Sequence, residues 1–289
     1  MTKPDVNKSA QFMASSARVL DRRRCERLFG GAAAEPVRDA VAAYRNADGG
    51  FGHALEPDIR DPASQPAAVE HALRVLHQAD AWDTDLARGA CDWLERVAPP
   101  EGGCAFAEPT LEGWPHAPWW VPDPAHAASP ISTGMISGTL HARGDSHPWL
   151  SRATELMWSL IDGLAEPGPY ELRGVTRFLD YVPDRDRARQ AMERVGPMLT
   201  RPGLVALDPD EPGETHSPLD FAPLPDSLAR TVFGDAVIKA HLDHLAAGQQ
   251  PDGGWGFNWM AWSPAAQQDW RGSLTVDALV LLRDNGRLG

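Results

Sequence analysis

The chain has 289 residues, 43% of them apolar, and a net charge of −13 from 40 acidic against 27 basic side chains. That length supports a large core, and the lack of any run of about eighteen apolar positions excludes a membrane-spanning reading. The acidic balance repels polyphosphate and argues against nucleic acid as the main partner. Residues 1–8 carry no apolar stretch of the kind a signal peptide needs, and Cys25, Cys91 and Cys104 are odd in number and widely spaced, as reduced, buried thiols would be. A cytoplasmic protein of one domain over residues 1–289 is expected.

Strand signals are nearly absent, and Ala-, Leu-, Arg- and Glu-rich stretches alternate with Pro and Gly, so the chain reads as all-α. Helices are expected over 9–29, 35–46, 64–80, 84–98, 131–143, 149–165, 169–181, 184–199, 234–249 and 271–285. Arg22, Arg23 and Arg24 on the first read as a solvated face with ion pairs. Residues 234–249 place Val237, Ile238, Leu242 and Leu245 on one stripe, with Lys239, Asp243 and His244 opposite and His241 facing out, the pattern of a helix with a wet face. Residues 66–76 and 274–282 are apolar almost all round, as helices enclosed on every side are. In the segment 132–142, Gly134 and Gly138 permit close helix approach, with Ser137 and His141 read first as packing residues.

The joints between helices repeat at roughly fifty residues. Asp-Gly-Gly-Phe-Gly at 48–52 matches Asp-Gly-Gly-Trp-Gly at 252–256, a weaker copy runs over 100–106, and a degenerate one over 201–207. The paired glycines suit a left-handed turn, and the aromatic after them plugs the gap between helices, so Phe51 and Trp255 read as architecture.

The pattern Gln-x-x-Asp-Gly-Gly-Trp-Gly at 249–256, with its partner at 48–52 and an Ala/Leu-rich helix after each, resembles the QW-type repeat of the terpenoid cyclase and prenyltransferase superfamily. The resemblance implies an (α/α) toroid of about six helix pairs with a cavity at the end where the glycine turns feed the inner helices. It also implies a class II cyclase-like activity, an acid-initiated cyclisation or isomerisation of an apolar, isoprenoid- or polyketide-like small molecule. Function is not carried by fold alone, so two alternatives stay open: a non-catalytic toroid that binds hydrophobic ligands or acts as a scaffold, and a carbohydrate-active α/α barrel. Prenyltransferase zinc sites use an Asp-x-Cys pair, which none of the three cysteines forms, so no metal and no other cofactor is expected.

Cyclases of this kind carry an Asp-x-Asp-Asp motif whose middle Asp protonates the substrate. Its nearest, partial match is Asp208-Pro209-Asp210-Glu211, in which Asp210 would be the donor and Asp208 and Glu211 the neighbours that raise its pKa. Pro209 and Pro212 place that match in a rigid loop. The connector after the first joint offers a second acidic group, Glu56 and Asp58 with His53, Arg60 and Asp61 beside them, and its plainer role is a charged loop capping the next helix. Substrate-binding candidates are His53, Asp220 in the long loop 216–227, the loop aromatics Trp119, Trp120, Trp259, Trp262 and Trp270, and Arg271, which opens an enclosed helix and suits a carboxylate or phosphate.

Overall fold

A computed structural model describes residues 3–288. Among them are twelve α-helices and no strand; extended pairing is limited to three isolated bridges, Arg45 with Phe51, Ile59 with His116 and Ala105 with Ala128. No described helix is long and apolar enough to cross a membrane. The described chain divides into two compact units, one from Ala34 to Glu193 and the other formed by the residues up to Ala33 together with those from Arg194 onward.

The unit from Ala34 to Glu193 holds α3 (Glu35–Ala42), α4 (Pro66–Gln78), α5 (Thr84–Val97), α6 (Pro130–Ala142), α7 (Pro148–Asp162), α8 (Pro169–Tyr181) and most of α9 (Arg185–Leu199). Proline at the first helical position starts α4, α6, α7 and α8, where its missing N–H costs nothing. Helix α4 is enclosed as its composition predicts, and α6 is enclosed as well, with Val69, Leu73 and Leu76 of one and Ile136 and Leu140 of the other wholly buried. Three glycines let α6 and α8 meet backbone to backbone. A Cβ on Gly134 would stand 2.4 Å from the Gly174 carbonyl, one on Gly138 2.6 Å from that of Arg177, and one on Gly174 2.3 Å from that of Pro130. The weaker joint is real as well. Gly102 and Gly103 take φ of +97° and +69°, and the buried Trp149 donates from Nε1 to the Gly103 carbonyl at 2.9 Å.

The other unit holds α1 (Val6–Ser16), α2 (Val19–Phe29), the short α10 (Pro218–Phe221), α11 (Asp235–Ala247) and α12 (Pro264–Asp284). The single helix expected over 9–29 is two helices, because Ala17 is extended (ψ 158°) and Arg18 turns back to bond Asp21 at 2.9 Å. Arg24 is not on a solvated face: it is fully buried, bonded to Asp21 (2.8 Å), Asp277 (2.6 Å) and Ser273 (3.2 Å). Two carboxylates and a hydroxyl compensate its desolvation, which a lone buried guanidinium could not survive. His241 likewise faces in, with Nε2 3.3 Å from the Leu207 carbonyl. Helix α12 begins seven residues earlier than the apolar pattern suggests, at Pro264, since Ser263 caps it by accepting from the Ala266 N–H.

Candidate functional site

The joint at 48–52 builds the site. Gly49 sits at φ +91°, and the Gly50 N–H donates to Asp48 Oδ1 at 2.9 Å; Ser64 Oγ donates to the same oxygen at 2.8 Å. Phe51 is fully buried and its carbonyl accepts from the Gln65 N–H, so the turn is bolted to the start of α4. The chain then does something costly: His53 and Ala54 both take left-handed backbone, at φ +56° and +61°, a conformation that L side chains rarely adopt. His53 itself is exposed, with Nε2 2.8 Å from Asn46 Oδ1. The twist carries Leu55 and Glu56 inward.

Glu56 and Asp58 are 7% and 4% exposed. Burial is the main force that pushes the Glu56 carboxyl up to about 8, and the negative charges of Asp58 and Glu70 push it further; Arg74 and a backbone hydrogen bond from Asp58 oppose them only in part. Burial and the two acidic neighbours favour the neutral carboxylic acid over the carboxylate at Glu56. His71 of α4, also buried, places Nδ1 3.7 Å from Glu56 Oε2. A second loop holds this one in place: the Ala117 N–H donates to the Asp58 carbonyl, the Arg60 N–H to that of Pro115, and Ile59 bridges to His116.

Beside it lies a polar network. Asp61 accepts from the Ala63 N–H (2.8 Å), Gln65 Nε2 (2.9 Å) and Thr110 Oγ1 (2.7 Å), while Gln65 Oε1 accepts from the Glu108 N–H. Glu108 in turn holds His126 Nε2 with both oxygens at 3.1 and 3.0 Å, and His126 is another residue at positive φ, +50°. Gln65, His71, Thr110, Glu108 and His126 carried no motif. The one signal was the presence of Glu70, His71 and Arg74 on a helix otherwise apolar all round.

The other candidates fall into two further places. Trp119 is exposed, whereas Trp120 stacks on Phe106 with centroids 4.4 Å apart, and its buried Nε1 has no acceptor. Asp208, Asp210, Glu211 and Asp220 are exposed and lie, with Trp259, Trp262, Trp270 and Arg271, in the other compact unit from Glu56 and Asp58. Asp208 accepts from the Asp210 N–H at 3.0 Å, a turn closed on itself, and Asp210 lies 3.2 Å from His244 Nδ1 with 83% of its side chain accessible. Asp220 completes a capping box with Ser217 at the start of α10. Trp259 packs edge-on to Trp270 (5.5 Å, 90°) and tilted against Phe257 (4.5 Å), and Arg271 Nη2 bonds both oxygens of Asp252 (2.9 and 2.8 Å) and Gln250 Oε1 (2.8 Å).

Among the described residues, no group of three or more His, Cys, Asp and Glu side chains is arranged to hold a metal ion. No protein-family model matches the chain, and no curated protein matches it.

Proposed function

We propose that the protein is an enzyme that initiates cyclisation or isomerisation of an apolar, isoprenoid- or polyketide-like small molecule by proton donation from Glu56. The observation that carries this reading is the neutral, buried carboxylic acid. A group titrating near 8 keeps its proton at pH 7, and 9% of the Glu56 side chain stays accessible. In the step, the Glu56 O–H bond breaks, a C–H bond forms at one alkene carbon, and positive charge is left on its neighbour beside the new Glu56 carboxylate. Asp58 is a positioning residue: its charge adds to the burial that keeps the donor protonated. The left-handed pair at His53 and Ala54 supports the assignment, since backbone strain persists where the surroundings hold a group in a required place. Asp210 suits the donor role less well because water screens and solvates an exposed carboxylate.

The helices are read, on the same proposal, as pairs of an α/α toroid of about six pairs. The support is that similar glycine turns recur at 48–52, 102–103 and 252–254, ahead of the enclosed helices α4, α6 and α12. A reducing, cytoplasmic setting fits three free, buried cysteines whose thiols burial pushes up to about 11 (Cys25) and about 12 (Cys91 and Cys104).

The test is turnover of a panel of linear polyprenyl alcohols and epoxides by the wild-type chain, Glu56→Gln and Asp58→Asn. Glu56→Gln is expected to lose on the order of a hundredfold or more in rate. Asp58→Asn should move the basic limb of the pH–rate profile downward, because the charge that raises the donor is gone. Full turnover in Glu56→Gln overturns the proposal.

A further inference from the structure

The unit formed by the two ends of the described chain carries a pocket of about 350 Å³ lined by Gln250, Gly256, Phe257, Trp259, Gln267 and Arg271. Its walls are an aromatic side and a donor side. On the aromatic side Trp259 is held between Phe257 and the edge of Trp270, so its ring is preorganised rather than mobile. On the donor side both partners of Arg271, Asp252 and Gln250, fall on Nη2, which leaves the rest of its five-donor fork uncommitted. Gln250 spends its Oε1 on Arg271, so what remains of it is the Nε2 amide donor.

The same stretch holds three buried donors without partners. Trp262 Nε1, Trp270 Nε1 and Arg271 Nε are all buried without a hydrogen-bond partner, and of the three residues Arg271 lines the pocket. Buried polar groups in native proteins are nearly always paired, so the unpaired donor of Arg271, at the pocket wall, points to an acceptor supplied from outside. Asp252 is half-exposed and its contacts fall on Nη2 alone, so the guanidinium, which lies over the Phe12 ring at 4.7 Å, keeps donors for a second carboxylate.

We infer that this pocket binds a small planar carboxylate, an aromatic or otherwise flat unsaturated acid, with its ring against Trp259 and Phe257 and its carboxylate on Arg271 and the Gln250 amide. A purely apolar ligand would leave the remaining donors of Arg271 and the Gln250 amide unused. The volume is at the lower end of that of small-molecule sites, which run from roughly 300 to 1,000 Å³. The inference is independent of Glu56, which lies in the other unit.

Gly256 supplies a clean way to close the pocket. A Cβ there would stand 2.7 Å from Gln250 Nε2, the tip of a flexible side chain, and would meet no backbone. The experiment titrates the full chain with 2-naphthoate, following the indole N–H resonances by NMR and heat by calorimetry, alongside 2-naphthamide and the variants Gly256→Val and Trp259→Leu. Saturable one-to-one binding is expected, with movement of tryptophan indole signals. Gly256→Val, Trp259→Leu and the uncharged amide should each weaken it by about tenfold or more, the variants keeping wild-type melting behaviour. Glu56→Gln should bind naphthoate as the wild type does. No saturation at millimolar naphthoate, equal affinity for the amide, or unchanged binding in folded Gly256→Val overturns the inference.

Discussion

The two best glycine joints are the same turn put to different uses. At 48–52 and at 252–256 the first glycine is left-handed, φ +91° and +94°; Asn46 and Gln250 accept from that glycine's N–H and donate to the carbonyl of the next; and the aspartate receives the N–H of the second glycine. What the aspartate does with its spare capacity differs. Asp48 takes a neutral hydroxyl, that of Ser64, whereas Asp252 takes the guanidinium of Arg271. Beyond the turn the chains part completely: one goes through two left-handed residues into a buried acid loop, the other into an aromatic loop with exposed Met260. The comparison teaches that the two copies build the same turn, and that burial and charge diverge in the residues after it.

The sharpest way to break that equivalence is to fill the turn. A Cβ on Gly49 would stand 2.6 Å from the Gly89 carbonyl oxygen, and one on Gly253 2.3 Å from that of Lys8. With strain at positive φ added to a backbone clash, Gly49→Ala and Gly253→Ala should each cost roughly 3 kcal/mol or more in urea denaturation. A loss below about 1 kcal/mol in either would show that the joints are not structurally equivalent.

The next effect separates the loops. Folding raises the Glu56 carboxyl from 4.5 to about 8, so its stabilising protonation is complete below about 4.5 and is lost as pH rises through about 8. Between those limits the native state binds a proton that the unfolded chain does not, and stability falls with pH. Glu56→Gln should flatten that slope and be the more stable protein at pH 8.5, by about 2 kcal/mol or more, read from melting curves at several pH values. A wild-type slope identical to that of the variant would mean that Glu56 ionises normally.

The smallest effect compares the aspartates. Against the upward push of burial, hydrogen bonds from Arg271 and the Gly254 N–H and the Arg271 charge hold the Asp252 carboxyl below its usual 3.8. That contribution is present above about pH 4 and is lost as pH falls through the depressed value. Asp252→Asn should cost about 1 kcal/mol, and less in high salt, whereas the cost of Asp48→Asn, which involves a neutral hydroxyl, should depend little on salt. Equal salt dependence would erase the difference.

Much of this was legible in the sequence. The helices expected over 169–181 and 84–98 lie at Pro169–Tyr181 and Thr84–Val97, and the joint glycines announced their turns. The break at Ala17 was not legible, because Ala, Ser and Arg all tolerate helix and the Arg18–Asp21 bond that accompanies the turn leaves no mark in the sequence pattern. The Ser263-Pro264 start of α12 was written in the sequence as a cap followed by proline, but the apolar pattern that begins later masked it. For the site, Glu56 and Asp58 stood out as acids on a connector, while Asp208 and Asp210 stood out equally by motif. Nothing local distinguishes a carboxylate that a left-handed pair turns inward from one that a proline turn leaves in water.

Composition and periodicity by themselves determined that the chain is helical, where its glycine turns fall and which helices are enclosed, because these follow from short-range backbone preference and from the count of apolar neighbours along one element. Tertiary structure alone decided which charges are desolvated: Arg24 between two aspartates, Glu56 between Asp58 and Glu70, Arg271 on Asp252. Charge energetics depend on distance and dielectric across elements far apart in the chain, so a residue's identity states its charge but not its pKa or its role.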